Sequence, residues 1–147
     1  MRIISGYDLG IDAGGAIRAD RLEMGTNLKV KGNKNLYAFW GDIITKQLNK
    51  ELKAIDENTL INLASKEYFK SINPNILEAN IITPVFKENK LGNYKIISIF
   101  AKKARGLMTR YIMQNQITKP KDLIHFDKEG YYYNPNLSSK SEFVFIR

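Results

Sequence analysis

Between Asn89 and Lys121 the chain carries Lys90, Lys95, Lys102, Lys103, Arg105, Arg110, Lys119 and Lys121, and neither Asp nor Glu. The 147 residues hold 23 Lys+Arg against 15 Asp+Glu, a formal net charge of +8. This one stretch therefore accounts for the whole excess, and the remainder is balanced. A local block of one sign suits a polyanionic partner, nucleic acid above all, whose phosphates attract Lys and Arg whatever the base sequence. Projected at ~100° per residue, Ala101–Gln114 gathers Ala101, Ala104, Leu107, Met108, Tyr111 and Ile112 on one side. Lys102, Arg105, Thr109 and Arg110 gather on the other, with Lys103 at the margin. Gly106 falls in the middle of the basic face, where glycine costs ~1 kcal/mol relative to alanine. A missing side chain there admits a phosphate backbone; it equally admits a neighbouring helix or strand, and a charged outer face is what any solvated helix shows. Lys119 and Lys121 add flanking charge. Tyr94, Tyr111, Tyr131, Tyr132 and Tyr133 can stack on bases where exposed, although tyrosines at such spacing more often pack.

Other chemistry is largely excluded by residue type. No cysteine is present, which removes disulfides, thiolate metal sites and cysteine nucleophiles. The one histidine, His125, lies between Ile124 and Phe126 and no motif pairs it with a nucleophile, so it reads as structural or superficial. The carboxylates show no calcium or two-metal spacing, and neither a metal nor a cofactor is expected. Gly10-Ile11-Asp12-Ala13-Gly14-Gly15 resembles the first phosphate loop of actin-like ATPases, but no threonine follows and two large lobes do not fit in this length; a turn is the simpler reading. No apolar run approaches the ~20 residues of a membrane helix, and the first residues lack a signal-peptide core, so a cytoplasmic location away from membranes is expected.

The elements that must position the basic residues follow from periodicity. Phe39, Trp40, Ile43, Ile44, Leu48 and Leu52 predict one helix over 39–53. Leu60–Ala64 reads as a buried strand and Ser65–Lys70 as a helical turn. Asn80–Lys87 and Tyr94–Phe100 read as a hairpin with a longer loop over 88–93, and Pro84 places the first strand at an edge or bulge. Ala101–Gln114 is a helix, Pro120–Ile124 a short helical stretch, and Tyr131–Tyr133 and Phe143–Ile146 are strands. Without regular βαβ alternation, the class is α+β, a mixed sheet with packed helices.

Several blocks together resemble the bacterial peroxide-stress protein YaaA family. They are Arg21-Leu22-Glu23-Met24-Gly25, Leu36-Tyr37 with Phe39–Thr45, Ile61–Ser65, Glu67–Lys70, Pro84-Val85-Phe86, Lys95–Ser98, Ala101–Met108, Thr118-Lys119-Pro120, Gly130-Tyr131 and Glu142–Phe145. They occur in family order over about 21–147, whereas Tyr7–Asp20 keeps the family spacing with different residues. The resemblance implies a YaaA-like fold, incomplete at the N-terminus, with residues 1–20 a divergent glycine-rich segment and 21–147 the YaaA-like domain. It also implies a role in peroxide resistance, a lowering of unincorporated iron, and DNA binding through a positively charged cleft and a helix-hairpin-helix element. No established reaction comes with it.

The expectation is therefore a peroxide-stress protein that binds DNA without reading sequence, through Lys102, Lys103, Arg105, Gly106 and Arg110 flanked by Lys119 and Lys121. No catalytic residue is assigned. The alternative is an enzyme acting on a small anionic or nucleotide substrate, with the same basic residues around a closed pocket and Asn62, Ser65, Glu67 and Lys70 near it.

Overall fold

The computed structural model describes residues 2–4, 24, 25, 27 and 32–147. The Gly10–Gly15 loop, the Tyr7–Asp20 stretch and Arg21–Glu23 lie outside the described residues. In chain order the elements are strand β1 (Arg2–Ile4), helices α1 (Leu36–Trp40) and α2 (Ile43–Ala54), strand β2 (Thr59–Asn62), helix α3 (Lys66–Phe69), strands β3 (Asn80–Lys90) and β4 (Asn93–Lys95), helix α4 (Ser98–Gln114), strand β5 (Tyr132–Tyr133) and strand β6 (Glu142–Ile146). Short 3₁₀ segments, Pro120–His125, Lys128–Gly130 and Pro135–Leu137, fill the approach to β6. The six strands form one mixed sheet in the order β1-β2-β3-β6-β5, with β4 paired to β3. β1, β2, β3 and β6 run parallel, while β4 and β5 are antiparallel to β3 and β6. The α+β class is as expected.

β2 shows why its sequence is continuously apolar. Leu60 and Ile61 point to opposite faces of the sheet, and both are fully buried. Leu60 joins Leu48 of α2, Ala64 and Ile72 on one face. Ile61 joins Phe86, Phe145, Leu123, Phe126, Tyr131 and the Ala101, Ala104, Met108, Ile112 stripe of α4 on the other. That second core is aromatic at its centre, with the Phe86 ring 5.4 Å from Phe145, 5.2 Å from Tyr131 and 5.9 Å from Phe126. α4 is thus seated by its apolar stripe, which leaves its other side outward.

Three expected boundaries and the expected place of Pro84 differ. The helix over 39–53 is two helices, because Gly41 caps α1 at φ 45° and donates its N–H to Tyr37, after which Asp42 restarts the chain as α2. The β3–β4 connection is a two-residue turn, not a long loop. The pair nearest it is Lys90 with Asn93, and Leu91 and Gly92 sit at φ 52° and 84°, the two left-handed positions of a tight hairpin. The strand expected over Tyr94–Phe100 stops at Lys95, and Ser98–Phe100 open α4, with Ile97 as its extended N-cap whose carbonyl accepts the Ala101 N–H at 2.9 Å. Pro84 lies in an interior strand. Thr83 and Asn89 donate towards β6 and its end, to Ser141 and Arg147, whereas Asn80 donates to the β2 side, to Asn58. Even-numbered positions therefore face β2, whose pairing ends at Ile82, so the N–H that Pro84 lacks has no ladder bond to lose.

Candidate nucleic-acid interface

α4 is 17 residues long, ~25 Å at 1.5 Å per residue, and carries the basic residues along its outward side. Lys102 and Arg110 are exposed and make no ion pair among the described residues. Arg105 sits at the boundary, half-buried, and burial pushes its guanidinium below its ordinary pKa. Gly106 is exposed, and a Cβ built on it meets nothing within 4 Å among the described residues. Among the described residues no neighbouring helix or strand fills that gap. Lys103 differs from its neighbours: its ammonium lies 2.5 Å from Glu129. Lys119 and Lys121 are exposed beyond the far end of α4, where Lys119 precedes the 3₁₀ segment and Lys121 lies within it. At the near end the β3–β4 hairpin leads straight into α4 and presents Lys90 and Lys95, both exposed. Exposed cations therefore stand on the hairpin, on α4 and in the segment that follows it. Such cations can neutralise phosphates, which occur every ~1.7 Å along duplex DNA.

A group that spacing did not reveal anchors this end of the molecule. Glu88, buried in β3, accepts a short hydrogen bond from the Tyr131 hydroxyl and one of 2.8 Å from Nε of Arg147. Arg147 also donates to the Glu129 carbonyl at 3.1 Å and lies 3.6 Å from the Glu129 carboxylate. Its guanidinium stacks over Tyr131 at 4.6 Å and over Phe100 of α4 at 4.9 Å. Burial pushes the Glu88 carboxyl up, but the Tyr131 and Arg147 hydrogen bonds outweigh it and hold the group below its ordinary pKa. Burial, and then the bond to Glu88 that ionisation would forfeit, raise the Tyr131 phenol. The Glu88 bond in turn raises Arg147. The signal available in the sequence was the alternation Pro84, Phe86, Glu88, which places Glu88 on the buried face of β3.

The tyrosines divide by burial. Tyr131 is buried in the core, Tyr111 and Tyr133 are half-buried, and Tyr94 and Tyr132 are exposed. His125 is exposed at the end of the Pro120–His125 3₁₀ segment, with buried Leu123 and Phe126 on either side. The residues named for a closed pocket serve the framework. Asn62 bonds Thr83 at 3.3 Å and the Ala64 N–H at 3.1 Å. Ser65 caps α3 through the Tyr68 N–H, Glu67 accepts the Met24 N–H at 2.9 Å, and Lys70 lies 5.4 Å over the Tyr37 ring. A cleft of about 310 Å³ lies elsewhere, lined by Asn49, Leu52, Lys53, Asp56, Glu57, Asn58 and Glu78. None of the α4 cations reaches it. Among the described residues no three His, Cys, Asp or Glu side chains are placed to hold a metal ion, and no helix is long and apolar enough to cross a membrane.

Comparison with known proteins bears on the whole chain. The profile of the family described as "Peroxide stress protein YaaA" matches residues 1–137. A UPF0246 protein of Teredinibacter turnerae is 53% identical over 147 residues, and one of Saccharophagus degradans is 52% identical over the same length. Both alignments take in 100% of this chain and 57% of the relative, so the chain spans a little over half the length of the relatives it matches.

Proposed function

The chain belongs to the peroxide stress protein YaaA family, and from that premise we propose that it serves peroxide resistance by holding DNA without regard to sequence along the outer side of α4. The carrying observation is that Lys90, Lys95, Lys102 and Arg110 are exposed and make no ion pair among the described residues, in a stretch with no carboxylate that also holds the exposed Gly106. Arg105 is half-buried on the same helix as Lys102 and Arg110, Lys119 and Lys121 add exposed charge beyond it, and Lys103 joins when a phosphate displaces Glu129. Such contacts fix a protein on the backbone and carry no base information. The lowering of unincorporated iron implied by the family resemblance is part of the same proposal for the whole protein, and no step of it is assigned to a residue here. Chelatable iron in peroxide-treated cells with and without the protein is its readout.

The test is a salt series. Changing Lys102 and Arg110 to Gln together removes two exposed charges and leaves Ala104 and Met108 seated. Each phosphate contact contributes ~0.9 to the log–log salt slope, so the double variant should be shallower by ~1.8 on any duplex. An unchanged slope in the folded variant moves the contact surface away from α4.

A further inference from the structure

The tip of the β3–β4 hairpin breaks two local rules at once. Leu91 occupies the first left-handed position of the turn, at φ 52°, where Asn, Asp or Gly is the usual residue. Its side chain is also fully in solvent, at 102% relative exposure. Neither folding nor packing gains from a leucine there. The turn is otherwise held firmly: the Asn89 side chain accepts the Gly92 N–H at 2.8 Å, and the Lys90–Asn93, Asn89–Tyr94 and Glu88–Lys95 pairs stand beneath it. Glu88, tied to Tyr131 and Arg147, fixes the base of the hairpin to the core. The result is a rigid two-stranded finger with one apolar side chain at its end and an exposed lysine on each strand, Lys90 and Lys95.

We propose that this finger enters the minor groove of duplex DNA and wedges Leu91 between two base pairs, so that the protein kinks the duplex it holds. The inference rests on the DNA-binding reading above and adds its geometry. Charge complementarity selects the partner: the finger's tip belongs to the Asn89–Lys121 stretch, which has eight cations and no carboxylate, and two exposed lysines stand below the apolar tip, Lys90 beside the turn and Lys95 opposite Glu88. Apolar wedges on minor-groove proteins unstack a step and bend DNA by ~20–90°. Flexible pyrimidine–purine steps yield most easily, so a TA step is the preferred place of entry while overall affinity stays tolerant of sequence.

The experiment uses the 147-residue chain and a 25-base-pair duplex with a central TA step, dye-labelled at both ends and carrying 2-aminopurine beside the step. The parent should shorten the end-to-end distance and raise the 2-aminopurine fluorescence. Leu91→Asn, which suits the turn better and keeps the fold, should bind with the same salt slope and leave the duplex straight and stacked. Leu91→Phe should restore the bend. A parent that binds yet leaves the duplex straight, or a Leu91→Asn variant that bends it equally, overturns the wedge and leaves the DNA-binding reading intact. A parent with no affinity for duplex at low salt removes both. Leu91-dependent capture by anionic phosphatidylserine vesicles, without bending of DNA, assigns the finger to a lipid surface and overturns the wedge.

Discussion

Replacing Glu88 by glutamine keeps an acceptor for the buried Tyr131 hydroxyl but removes the charge that Arg147 meets at 2.8 Å. A hydrogen bond between charged groups contributes ~1.5–3 kcal/mol. Arg147 retains Glu129, through the carbonyl at 3.1 Å and the carboxylate at 3.6 Å, so the loss belongs near the lower end of that range. We expect ~2 kcal/mol at pH 7, or roughly 4–8 °C in Tm for a domain of this size. The effect must also depend on pH. Glu88 is held below its ordinary value of 4.5 in the folded chain. Its ionised form therefore stabilises the fold fully above the unfolded pKa, and that contribution disappears as pH falls through the lower, folded pKa. Thermal melts of the parent and Glu88→Gln between pH 7 and 3 should differ most at neutral pH and converge in acid. Equal stability at pH 7, or a gap that persists undiminished at pH 3, would refute the claim that this carboxylate clamps β3, the C-terminal end of β6 and α4 together.

Glu129→Gln frees Lys103 from its 2.5 Å partner, so DNA affinity should rise and the salt slope steepen by up to ~0.9, read by fluorescence anisotropy. Gly106→Ala meets open space on an exposed helical position and should raise stability by ~0.8–1 kcal/mol in denaturant melts. If the phosphate backbone uses that gap, the same variant should bind DNA more weakly despite being more stable.

The parts of the fold that a single periodicity determines were legible in the sequence. The Ala101, Ala104, Met108, Ile112 stripe repeats at helical steps and seats α4 as expected, and the unbroken apolar run of β2 reflects burial on both faces. The start of α4 was not legible, because Ile96, Ile97, Ile99 and Phe100 satisfy strand and helix patterns alike and only the end of β4 pairing at Lys95 decides between them. Pro84 misled for a related reason: β3 is interior, but its pairing with β2 ends at Ile82, before the position whose N–H the proline lacks, and where that ladder ends is not written in the local sequence. At the candidate interface, the residue types and the outward face of α4 were readable. The pairing of Lys103 with Glu129 was not, nor was the Glu88, Tyr131 and Arg147 cluster, whose members lie 43 and 59 positions apart. Local spacing carries no information about contacts made by strands that meet only after folding. The open side of Gly106 likewise became clear only once its surroundings were in place.

The central claim is that the outward cations of the hairpin, α4 and its flank grip a phosphate backbone. Its most direct test is the affinity of the unaltered chain for two duplexes of unrelated sequence, measured by anisotropy from low to physiological salt. Lys90, Lys95, Lys102, Arg110, Lys119 and Lys121 are exposed; at ~0.9 per phosphate they allow a log–log slope as steep as about −5. The account predicts a slope of several units on both duplexes, with affinities that agree within a few-fold. A slope near zero, no binding at low salt, or a preference of a hundredfold for one duplex would contradict it.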